Sequence, residues 1–206
     1  MRIFLSFFLL LLALTAGLLA SEETVSPLSP PPETDAGMVQ IGDFAIDLYE
    51  FPNRKGTLPM VDVTWGQAQD LCQAQGKRLC TENEWVQACR GPQNYMYSYG
   101  DVFEPHRCNT PYQEGGQWQR GQTAASGQFD QCSNGYGVHD MIGNVWEWTD
   151  SWYDRAQGWR VVRGGSWFQN VNLARSDGRY GRHLDAEFRL DLVGFRCCQS
   201  RPLPEE

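Results

Sequence analysis

Gly143-Asn144-Val145-Trp146-Glu147-Trp148 and, after a short gap, Arg163-Gly164-Gly165-Ser166-Trp167 decide how this chain is read. Two tryptophans flank a glutamate, and a double glycine stands between an arginine and Ser-Trp. Paired glycines let two backbones approach closely or adopt positive φ. Indole rings bury large areas but need a partner for the ring N–H. A carboxylate fixed between two indoles is a poor surface group, so Glu147 is expected to meet a cation or a set of hydrogen-bond donors.

Outward from this block, the chain divides by composition. Its 206 residues suit one domain with a core of its own. Residues 1–20 hold a single charge, Arg2, ahead of an apolar run from Ile3 to Leu14, the shape of a signal peptide cut after Ala20. Left uncut, the same stretch would anchor the protein, and that is the one route to a membrane the sequence offers. Residues 21–37 are rich in proline, serine and acid and read as a linker, residues 38–199 as the domain, and 200–206 as a short tail. A formal net charge of −8 disfavours nucleic acid and anionic lipid. Seven cysteines in an exported chain form a disulfide framework with one thiol left over, and spacing alone does not choose the pairs.

Local signals place the elements. Phe44, Ile46 and Leu48 alternate onto one face, so the stretch from Val39 to Phe51 reads as strands. Thr64 with Gln67, and Thr81 with Glu84, are capping boxes that open two helices. Trp65, Ala68, Leu71 and Cys72 share a face of the first; Thr81 and Glu84 lead Trp85, Ala88 and Cys89 into the second, which Gly91-Pro92 ends. From Tyr95 to Tyr136 the chain is loop-rich and needs a staple, for which a bridge between Cys108 and Cys132 is one option. After Gly91 the patterns are those of short strands and loops. His106, His139 and His183 have no ligand spacing, and no nucleophile elbow or phosphate loop is present.

The blocks GNVWEW, RGGSW and GFRC, in that order, resemble the signature of the formylglycine-generating enzyme and sulfatase-modifying factor family. The resemblance implies an α+β fold, a loop-rich variant of the C-type-lectin type. It implies a calcium site on Asp140, Gly143, Val145 and Glu147, two carboxylates and two carbonyls of the kind a hard cation takes. It also implies a disulfide from Cys72 to Cys197; Cys198, facing the other side of the same strand, is left with Cys80, Cys89 or no partner. By the same resemblance a substrate groove would involve Trp146, Ser166, Trp167, Gln169 and Arg175. The family's oxidase holds copper between two cysteines after its GGS segment, where this chain has Gln169 and Ala174 and no cysteine from Gly164 to Arg196. Neither residue suits a cuprous ion, so copper is not expected.

The expectation is therefore an exported, non-catalytic module that uses the family scaffold to bind a protein, peptide or small molecule. An extracytoplasmic oxidoreductase with altered chemistry, acting on a siderophore or peptide, is the second reading.

Overall fold

A computed structural model of the protein describes residues 37–168 and 171–200. The expected signal peptide, all but the last residue of the linker, Gln169, and residues 201–206 of the tail lie outside them.

Met38–Ile41 (β1) and Phe44–Asp47 (β2) form a hairpin that turns at Gly42, whose φ of 61° favours glycine. Two helices follow, Trp65–Gln73 (α1) and Glu82–Arg90 (α2), with the short strand Arg78–Leu79 (β3) between them. Both capping boxes are complete: the Thr64 and Thr81 hydroxyls accept from the amides of Gln67 and Glu84, whose side chains accept from the two threonine amides. The helices start where the sequence says because these bonds need nothing beyond four consecutive residues. The first ends at Ala74, two residues short of Gly76, while the second ends on Gly91.

Beyond α2 the strands are short: Tyr112–Glu114 (β4), Gln117–Gln119 (β5), Trp146–Asp154 (β6), Trp159–Arg163 (β7), Arg179–Tyr180 (β8), Val193–Phe195 (β9) and Cys197–Ser200 (β10). They complete a sheet of order β1-β2-β10-β3, a second of order β8-β7-β6-β9, and the separate hairpin β4-β5. The last strand thus lies between the second and the third, and β9 runs parallel to β6.

Two apolar clusters fill the molecule. One gathers Phe44, Ile46, Trp85, Ala88, Met141 and Ile142 under α2, and the other gathers Phe51, Ala68, Leu71, Trp148, Val162 and Phe195 under α1. Cys197 belongs to the second and Cys198 to the first, since neighbours on a strand point to opposite faces. Disulfides join Cys72 to Cys197, Cys80 to Cys198 and Cys108 to Cys132, leaving Cys89 as a buried thiol. The choice of Cys80 for Cys198 follows from register: β10 pairs with β3, which brings Cys80 beside it.

Candidate functional site

The polar centre of the molecule is Glu147 on β6. Its two carboxylate oxygens accept from Nη2 and Nε of Arg196, both at 2.7 Å, and Oε2 also accepts the Trp85 indole N–H at 2.7 Å. Both charged side chains are buried, and the remaining Arg196 donors go to the carbonyls of Asp47, Leu48 and His139. Arg196 therefore ties β2, the loop before β6 and β6 itself to one guanidinium. Such a pair is tolerated in the interior because every N–H of the guanidinium finds an acceptor.

Around it lies a loop built from left-handed residues: Asp140, Gly143 and Asn144 have φ of 56°, 80° and 55°. Asn144 donates to Glu50 and to the Ala124 carbonyl, and accepts from the Ala124 amide and from Asn109. Glu50 also accepts from the Ser126 hydroxyl at 2.5 Å, and Asp140 from the Gly127 amide at 2.6 Å. Burial pushes the Asp140 carboxyl up to about 6 against the pull of Gly127 and Arg196. Glu50 is pushed well above the carboxylate range, first by burial and then by Asp140.

Of these three carboxyl groups Glu147 is the one that meets the guanidinium, while burial holds Glu50 and Asp140 toward the protonated form. The donors expected for calcium are oxygens of Asp140 and Glu147 with the carbonyls of Gly143 and Val145, the ligand type that ion takes. The Glu147 carboxylate would be shared with Arg196. No group of three or more His, Cys, Asp or Glu side chains is placed to hold a metal among the described residues, and the three histidines are not gathered into one.

Four of the five expected groove residues are described. Trp146 and Ser166 are buried, the former with its ring 6.1 Å from that of Tyr180, the latter with its hydroxyl accepting from the Phe168 amide. Arg175 forms a forked pair with Asp177, at 2.9 and 2.8 Å. Trp167 is half-buried, its amide donating to the Asn144 carbonyl and its indole N–H to the Thr123 hydroxyl, both at 3.1 Å. Gln169 lies outside the described residues. Ala174 is buried against the double glycine, where a Cβ on Gly165 would come within 2.9 Å of its Cα. The one reduced cysteine, Cys89, is enclosed and its thiol raised, chiefly by burial. A buried, protonated thiol is neither nucleophile nor ligand.

Sequence reasoning did not reach Arg196 as the partner of Glu147, although GFRC contains it, nor the Glu50–Asn144–Asn109 network. A lone Glu50 at the end of a strand pattern gives no sign that it will be enclosed.

Compared with known proteins, the profile of the sulfatase-modifying factor enzyme 1-like domain matches residues 35–201. The mouse protein named inactive C-alpha-formylglycine-generating enzyme 2 is 39% identical over 164 residues, covering 72% of this chain and 51% of that protein. Mouse formylglycine-generating enzyme is 38% identical over 104 residues, 46% of this chain and 27% of that enzyme. This chain thus spans about half the length of the first of these relatives, or less. In structure, PvdO from Pseudomonas aeruginosa aligns with a TM-score of 0.60 at 18% identity, over 80% of this chain and 92% of that one, a likeness of fold. With the order of its blocks, its two-sheet lectin-like fold and this match over most of its length, the chain belongs to the family of sulfatase-modifying factor enzyme 1-like domains.

Proposed function

We propose that this protein is a non-catalytic member of its family, an extracytoplasmic module that binds a protein or peptide. The observation that carries the reading is the state of its sulfur. Oxidising a cysteine to formylglycine by the family's route needs two thiolates on one copper ion. Six of the seven cysteines are bridged and the seventh is buried, and Ala174 is packed into the core beside Gly165. A relative that shares 39% of the aligned residues is itself named inactive. Three disulfides support an oxidising compartment. Calcium, held at Asp140, Gly143, Val145 and Glu147, serves this reading as a structural ion.

The test is an assay of the purified, oxidised protein with copper and a Cys-x-Pro-x-Arg peptide. No aldehyde above a no-enzyme control is expected by mass spectrometry, and formation of the aldehyde would overturn the reading. Stoichiometric copper or iron in the purified protein would instead favour an oxidoreductase with altered chemistry.

A further inference from the structure

We propose that the cleft between Leu58 and the loop 121–129 docks an extended peptide in which an apolar side chain stands beside a carboxylate. This deepens the binding-module reading and rests on it. The cleft has a volume of about 370 Å³, with Leu58, Ala124, Ala125 and Phe129 as its apolar wall and Gln122 and Gln128 among its polar lining. That is at the lower end of the sizes ligand sites take, about 300–1,000 Å³, and apolar side chains share its walls with amides that can bond a peptide backbone.

The walls are fixed before anything binds. Asn144 holds Ala124 by both backbone groups, at 2.9 and 3.2 Å, and Asn109 donates to the Gln122 carbonyl at 2.9 Å. The Ser126 amide donates to the Thr57 carbonyl at 2.9 Å, tying the loop to the segment that carries Leu58. The buried network around Glu50 thus braces the loop that forms the cleft wall. A loop already ordered adds little entropic cost to association.

One margin carries the charge. Thr123 accepts the Trp167 indole N–H, Phe168 packs edge-on against Trp167 at 5.5 Å, and the Arg120 guanidinium lies 4.7 Å over the Phe168 ring. Arg120 makes no ion pair among the described residues, and it immediately precedes Gly121 of the cleft wall. Leu58, Trp118 and Phe168 are 60%, 47% and 43% exposed. An exposed aromatic ring that carries an arginine is the make-up of an interface anchor. A guanidinium without an ion pair among the described residues, held by a ring beside the cleft, specifies its ligand: one apolar side chain for the wall of Leu58, Ala124, Ala125 and Phe129, one carboxylate for Arg120. A small free acid would satisfy the charge and leave the cleft unfilled.

The experiment uses the full chain and the capped octapeptide Gly-Ser-Gly-Leu-Glu-Gly-Ser-Gly, with counterparts carrying Gln for Glu or Asn for Leu. Binding is followed by calorimetry, and the indole N–H signals of the protein locate it. The Leu-Glu peptide is expected to bind at millimolar concentration or below and to move the Trp118 and Trp167 signals. Gln for Glu should weaken it about three- to fivefold, the scale of an exposed ion pair. Asn for Leu should weaken it about tenfold or more, the scale of a lost apolar contact. Arg120→Gln, at an exposed position, should keep its melting temperature and lose the preference for Glu over Gln, and Ala125→Phe should block binding. Failure of the Leu-Glu peptide to bind at millimolar concentration overturns the proposal, as does a preference that survives in Arg120→Gln or free glutamate binding equally well. Binding that moves the Trp152 signal in place of Trp118 and Trp167 overturns the cleft and leaves the binding module standing. The aldehyde of the preceding assay would overturn the module itself.

Discussion

Glu147 and Arg196 meet through two parallel hydrogen bonds of 2.7 Å, in a place where neither side chain reaches solvent. Leaving either charge alone there should cost about 3–5 kcal/mol. Arg196→Met is expected to lose that much in urea unfolding, while Arg196→Met with Glu147→Gln should lose clearly less than the two single changes added together. Strict additivity would show that the pair is not coupled.

Calcium at the loop from Asp140 to Glu147 would stabilise the folded state by about 2.7 kcal/mol at a concentration 100 times its dissociation constant. A chelator should lower the melting temperature, and Asp140→Ala should remove the calcium-dependent increment. An unchanged melting temperature in chelator, with no calcium found by elemental analysis, would count against the site.

Asp47 is raised from its ordinary value and Glu50 well above its own, in each case chiefly by burial, with Lys77 opposing the shift at Asp47. The folded state therefore keeps protons that the unfolded chain releases. This contribution to stability is full below about pH 4, the ordinary carboxyl range, and is lost as pH rises through the raised values. In chelator, melting should be higher at about pH 5 than at about pH 7.5. Glu50→Gln, which can still accept from Asn144 and donate to Ser126, should lessen that fall. An unaltered pH profile in the variant would remove Glu50 as a cause.

The bridge from Cys72 to Cys197 closes a span of 125 residues and that from Cys108 to Cys132 one of 24. On chain entropy the first should contribute about 4–5 kcal/mol and the second about 3 kcal/mol. Replacing each pair by serine and comparing unfolding midpoints tests the order. In unreduced protein, rapid alkylation of Cys72 or Cys197 would show that the first bridge is not formed.

Gly143 combines a φ of 80° with a close neighbour: a Cβ there would stand 2.4 Å from the Asn109 carbonyl oxygen. Gly137 has a φ of 79° and open space around it. Gly137→Ala should cost about 1 kcal/mol for the backbone alone. Gly143→Ala should cost more and loosen the Asn109–Asn144 contact. Equal losses would mean that the loop gives way without penalty.

What the amino-acid order determined by itself is whatever closes within a few residues. The two capping boxes set the helix starts through bonds three residues apart, and the alternation of Phe44 and Ile46 sets a buried strand face. The order of the glycine and tryptophan blocks carried the family and, with it, the lectin-like architecture. Tertiary structure alone decided which groups meet across the chain. Cys198 had three readings until β10 paired with β3, and Glu147 had a cation in prospect but no named one until Arg196 was folded against it. The burial of Ser166 and Trp146, and the opening of a cleft beside Trp167, are likewise results of packing. Side-chain chemistry is written in the residue, but the partner of a buried charge or thiol depends on strand register and sheet order, which long loops of unmarked sequence leave unspecified.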